Sequence, residues 1–136
     1  MLPEKIKHTE ICIIGGGLSG LSLSILLAQN GIETTVLEKK SFPRHKVCGE
    51  YISLESWGFL ERLGIPLSKM NLPIVNELEL TAHGKYSLKT KLPLGGFGLS
   101  RYVLEDLLYK KALDMGVKVY CETTATDVVD NKVSTN

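Results

Sequence analysis

Six residues near the start of the chain, Gly15-Gly16-Gly17-Leu18-Ser19-Gly20, have the spacing G-x-G-x-x-G, and an acid, Glu38, follows 18 positions after the last of them. Glycines at this spacing let a backbone approach a pyrophosphate, and a carboxylate at that remove can accept hydrogen bonds from ribose hydroxyls. Gly15 permits a tight turn. Gly17 leaves no Cβ between the backbone and a phosphate, and Gly20 lets a helix lie close to a strand. The first N–H groups of that helix, around Leu18 and Ser19, offer unpaired donors and a partial positive charge to an anion. Glu38 disfavours a ribose 2′-phosphate, and Lys39 beside it is counted with the cofactor-binding residues. The nucleotide is therefore FAD or NAD rather than NADP, and the fingerprint alone leaves those two open.

The motif needs a strand before it and a helix after it, and the pattern supplies both. Glu10 to Ile14 is a short β-branched run, and Leu18 to Gln29 is dense enough in apolar residues for a largely buried helix. Asn30-Gly31 stops that helix, and Ile32 to Leu37 forms a second strand, so the first forty residues read as a right-handed βαβ unit. From Lys39 to Gly49 the chain is polar and basic, broken by Phe42-Pro43, and is expected to be an irregular loop.

Leu54 to Leu63 suits one short amphipathic helix, ended by Gly64 and Pro66. Asn76 to Ala82 alternates in polarity, His83-Gly84 offers a turn, and Lys85 to Leu92 alternates more weakly, which predicts an antiparallel hairpin. Leu104 to Leu113 resumes helical spacing up to Gly116. Val117 to Cys121 and Ala125 to Val128 read as strands, and Asn131 to Asn136 as a frayed end. The expected fold is α/β: a Rossmann-like βαβ nucleotide-binding domain, single and incomplete, with its core over 8–72 and 99–130 and an inserted antiparallel hairpin over 73–98.

A chain of 136 residues suits one domain, and 43% hydrophobic with 23% charged residues is ordinary for a soluble protein. A net charge of +1 gives no footprint for nucleic acid. The 18 uncharged residues from Ile11 to Ala28 approach the length of a membrane span. Gly15, Gly16, Gly17, Gly20 and three serines interrupt them, so no transmembrane segment is expected. Cys12, Cys48 and Cys121 are odd in number and widely spaced. That suits neither a disulfide framework nor a metal site, and points to a reducing cytoplasm.

The stretch Glu38-Lys39-Lys40-Ser41-Phe42-Pro43-Arg44-His45-Lys46-Val47-Cys48-Gly49-Glu50 resembles the loop of geranylgeranyl reductases and related FAD-dependent monooxygenases and halogenases, within the p-hydroxybenzoate hydroxylase-like flavoproteins. The resemblance implies that Arg44 lies along FAD and that Cys48, Gly49 and Glu50 pass near the flavin ring. Gly95-Gly96-Phe97-Gly98-Leu99-Ser100-Arg101, followed by Leu104, is similar to the family's R-x-x-L segment, which implies that Arg101 contacts the cofactor. Ala125 corresponds to a position whose backbone faces adenine, and the hairpin to strands of the substrate-domain sheet.

The resemblance further implies NAD(P)H as electron donor and a small substrate, apolar or aromatic. Enzymes of this class continue well past this length and carry a later Gly-Asp pair, which these 136 residues lack. The expectation is a piece of a longer flavin-dependent oxidoreductase, inactive alone, whose uncovered strand edges favour self-association. A nucleotide-binding module without activity and a small NAD-dependent dehydrogenase are the alternatives. No Tyr-Lys or His-Asp catalytic arrangement supports the dehydrogenase. Arg44, His45 and Lys46 also admit a plainer reading as a solvated basic loop.

Overall fold

The computed structural model describes residues 8–48, 50–82, 84 and 86–136. In chain order its elements are β1 (Ile11–Ile14), α1 (Leu18–Gln29), β2 (Thr34–Leu37), β3 (Tyr51–Ser53), α2 (Trp57–Arg62), β4 (Ile74–Ala82), β5 (Tyr86–Gly98), α3 (Arg101–Asp114), β6 (Lys118–Tyr120), β7 (Ala125–Val129) and β8 (Lys132–Thr135). Two compact units result, Met1–Arg44 with Glu105–Asn136, and His45–Leu104.

The first unit is built on a parallel sheet of order β1-β2-β6, in which Ile11 to Ile14 pair with Thr34 to Leu37, and Thr35 to Leu37 with Lys118 to Tyr120. All four residues of β2 are buried because it is the central strand. The α1 helix packs on β1 and β2 through a stripe of Leu21, Ser24 and Ile25 at helical spacing. Its remaining faces are only partly covered, and Leu23 is 46% exposed, so the helix is less buried than its apolar density predicts. A sheet three strands wide offers it one contact face. The Asn30-Gly31 stop operates as expected. Gly31 takes φ +75°, Ile32 N–H bonds back to the Leu27 carbonyl, and Asn30 Nδ2 donates to the Leu26 carbonyl. Gly116 (φ +83°) ends α3 in the same way, with Val117 N–H bonded to the Ala112 carbonyl.

The chain end differs from the frayed segment its composition suggests. β8 pairs antiparallel with β7, Val129 opposite Lys132, across a two-residue turn in which Asp130 and Asn131 both take positive φ, 46° and 60°. Asp and Asn tolerate this conformation better than other non-glycine residues, and two positive φ values in succession match the twist of a tight hairpin.

In the second unit β5 lies between β3 and β4. The expected hairpin is present, with Leu78 opposite Thr90, Leu80 opposite Leu88 and Ala82 opposite Tyr86. His83 and Lys85, part of the expected turn and return strand, fall outside the described residues. One face of the hairpin carries Leu78, Leu80, Tyr86 and Leu88, all exposed, and the other sets Glu77 against Lys91 and Glu79 against Lys89. β5 also runs further than its alternation predicts. Gly96 to Gly98 pair with Ser53 to Tyr51 of β3, and a Cβ at Gly96 would strike the Tyr51 ring. The helix expected over 54–63 begins as a 3-10 turn, Leu54–Ser56, before α2. Phe97, fully buried and edge-on to Trp57, centres a core with Leu60, Leu63, Ile65 and Leu67. Among the described residues no helix is long and apolar enough to cross a membrane.

Candidate nucleotide site

The glycine turn follows β1 and opens α1, as its mechanism requires. Gly15 sits at φ +104°, a left-handed region closed to most side chains, with its N–H bonded to the Leu37 carbonyl at 2.8 Å. Gly20 lies so close to this turn that a Cβ there would strike the Gly15 carbonyl oxygen. Gly16, the unspecified position of the motif, is buried, and a Cβ on it would meet Phe42 Cζ at 2.9 Å and Glu38 Cβ at 3.1 Å. Gly15, Gly16 and Gly20 thus each have a steric or conformational reason. The α1 helix starts after Gly17 with no side-chain cap and no acid in its first turn. An anion approaching Leu18 and Ser19 meets no competing protein oxygen from a cap, which fits a pyrophosphate.

Glu38 directly follows β2, its N–H bonded to the Tyr120 carbonyl and its own carbonyl accepting from Thr123 N–H. The side chain turns back to the glycine turn. Oε2 accepts from Gly16 N–H at 2.7 Å and Oε1 from Lys40 N–H at 2.9 Å. Arg44 completes the shell, with Nη1 2.7 Å from Oε1 and Nη2 3.1 Å from Oε2. Burial by itself raises the Glu38 carboxyl, but the Gly16 and Lys40 N–H groups and Arg44 outweigh it and hold the group below its ordinary range.

Arg44 itself is not part of a solvated loop. Its side chain is 9% exposed, Nη2 donates to the Gly16 carbonyl at 3.2 Å, and the guanidinium lies 4.7 Å over the Phe42 ring. Phe42 in turn stacks on Tyr109 at 4.5 Å. His45 and Lys46, the next two residues, are exposed, and His45 stacks on Tyr102.

A residue absent from the sequence reading joins here. Glu105 is fully buried, and its Oε2 lies 3.3 Å from Arg44 Nε. The signal was its position: Glu105 falls on the helical stripe of Leu104, Leu108 and Ala112, all buried, where a charge requires a partner.

The structure therefore brings Gly15, Gly17, Leu18, Ser19, Gly20, Glu38, Lys39 and Arg44 into one unit, with Lys39 and Ser19 exposed. Ala125, in the same unit, opens β7 half-buried. Cys48, Glu50 and Arg101 belong to the other unit. Cys48 is exposed. Glu50 takes φ +57° with its carbonyl accepting from Leu99 N–H, and Arg101 is the first residue of α3. Gly49 lies outside the described residues.

Residues 8–134 match the FAD binding domain family. The chain is 30% identical over 130 residues to digeranylgeranylglycerophospholipid reductase of Sulfolobus acidocaldarius, covering 90% of this chain and 27% of the reductase. It is 26% identical over 126 residues to the flavin-dependent halogenase armH3 of Armillaria mellea, covering 82% of this chain and 24% of the halogenase. A solved mutant of 2-methyl-3-hydroxypyridine-5-carboxylic acid oxygenase superposes with a TM-score of 0.80 at 26% identity, covering 95% of this chain and 36% of the oxygenase. The chain spans about a quarter to a third of the length of these proteins.

Proposed function

The chain belongs to the FAD binding domain family, and from that premise we propose that its glycine turn, Glu38 and Arg44 grip the adenosine diphosphate half of FAD. The observation that carries this reading is the Glu38 carboxylate, held 2.7 Å from Gly16 N–H beside the uncapped start of α1. In this reading the first N–H groups of α1, with Gly15, Gly17, Leu18, Ser19 and Gly20, receive the pyrophosphate, and Glu38 receives the ribose hydroxyls. Arg44 and Arg101 supply cations to the phosphates. Lys39 borders the ribose and Ala125 the adenine, and the family resemblance assigns Cys48 and Glu50 to the flavin.

The whole protein is then a flavin-dependent oxidoreductase of the double-bond reductase or monooxygenase type, with NAD(P)H as donor and a small apolar or aromatic substrate. Bound flavin supplies the electron transfer, while this chain binds and orients it. None of the residues above is placed to move a proton on a substrate, so the chain alone is inactive. The hairpin of β4 and β5 contributes to the sheet that covers the substrate. Cytoplasmic residence fits three cysteines that form no disulfide.

The test is the visible spectrum of the purified chain after mixing with FAD and desalting. Flavin absorbance should travel with the protein and be lost in Gly17→Val, whose far-ultraviolet circular dichroism stays that of the wild type. Binding of NAD in place of FAD, or retention of FAD by the Val variant, would overturn the assignment.

A further inference from the structure

Glu38 has four donors around it, the N–H groups of Gly16 and Lys40 and both Nη groups of Arg44, all between 2.7 and 3.1 Å. A carboxylate offers roughly four lone-pair sites, and three hydrogen bonds take three of them, while Arg44 Nη1 stands against Oε1 as an ion pair. The one site left can take a single ribose hydroxyl, and two hydroxyls can be accepted only if a donor withdraws. The two N–H groups are backbone, fixed by the glycine turn and the end of β2. Arg44 is the side chain that can yield, and its charge must then remain compensated in a buried place. Glu105 meets that need, because it approaches Arg44 at Nε, the nitrogen that Glu38 does not engage.

We propose that Glu105 is a positioning residue of the nucleotide site: its carboxylate, ion-paired beside Nε of Arg44, keeps the guanidinium in place while the Nη groups exchange Glu38 for the nucleotide. This rests on the FAD reading above. Without Glu105, Arg44 has Glu38 as its remaining carboxylate in this cluster, and the ribose must compete with a more exclusive pair.

FAD affinity measured by fluorescence quenching in the wild type, Glu105→Gln, Arg44→Met and the double variant decides the matter. Glu105→Gln should weaken binding by about tenfold when Arg44 is present and by less than about twofold in the Arg44→Met background, since coupled residues are non-additive. Equal weakening in both backgrounds, or none in either, would mean that Glu105 only supports the scaffold. The wild type provides a readout free of folding effects: the Arg44 Nε–Hε resonance should be protected from solvent exchange both without and with FAD. Fast exchange in the FAD-bound chain overturns the proposal. If the wild-type chain binds no FAD, the cofactor reading fails, and Glu105 is judged by the free chain alone, where a rapidly exchanging Nε–Hε overturns its hold on Arg44.

Discussion

Replacing Gly20 by Ala tests how tightly the nucleotide turn is built, because two effects of opposite sign meet there. Gly20 lies in the first turn of α1, where alanine is the better helix former by about 1 kcal/mol. Sterics point the other way. A Cβ at this position would strike the Gly15 carbonyl oxygen and stand 3.1 Å from the Gly15 carbonyl carbon and 3.3 Å from Ile13 Cγ2. The first two are backbone atoms of a turn tied to β2 by the Gly15 N–H to Leu37 bond, so no rotamer change relieves them. Overpacking costs about 1–3 kcal/mol, and a clash with fixed backbone belongs at the upper end. Set against the helix preference, the net loss is about 2 kcal/mol. For a domain of this size that lowers the melting temperature by roughly 6–8 °C. Thermal melts followed by circular dichroism should be run beside Gly31→Ala, where a Cβ meets nothing within 4 Å and only φ +75° is unfavourable. That control should lose about 1 kcal/mol. A Gly20→Ala chain that melts at or above the wild type, or above Gly31→Ala, would refute the close helix-to-turn packing.

Glu38 sets an acid dependence. Its carboxyl titrates below its ordinary range when folded, so its stabilising contribution is present above that range and lost as pH falls through the lowered value. Urea midpoints between about pH 7 and pH 3 should fall more steeply for the wild type than for Glu38→Gln, and parallel curves would contradict the assigned hydrogen bonds. At the β7–β8 turn, Asn131→Gly removes a side chain at φ +60° and should slow amide exchange at Val133, by a few tenths of a kcal/mol in opening free energy. Faster exchange would argue against the hairpin. The exposed Leu78, Leu80, Tyr86 and Leu88 should drive self-association of the chain at high concentration, and a monodisperse monomer in light scattering would count against it.

What could be read from sequence, and what could not, divides along the range of the interactions. The βαβ unit is legible because each determinant is local: β-branched residues for the strands, three glycines for the turn, Asn30-Gly31 for the stop. The hairpin is legible from alternation, although its length is not, since Gly96 to Gly98 extend β5 only because Tyr51 to Ser53 lie alongside as β3. Three residues carry too little pattern to announce a strand. β8 has a local signal in Asp130-Asn131 between Val128-Val129 and Lys132-Val133, a turn without the glycine that usually announces one.

The site follows the same rule. The pairing of glycine turn and Glu38 is a spacing, and spacings are visible. The identity of Gly16 is not, because its reason is the Phe42 ring from the following loop. Nor does the run Arg44-His45-Lys46 say which of its side chains is buried. That choice is made by two carboxylates far apart in the chain, Glu38 just past the end of a strand and Glu105 on the apolar stripe of α3, which together flank one guanidinium. A charge interrupting a buried helical stripe is thus the most informative single-residue signal in this sequence. It states that a partner of opposite sign must come from elsewhere in the chain, and here the partner lies against the carboxylate that the nucleotide motif had already singled out.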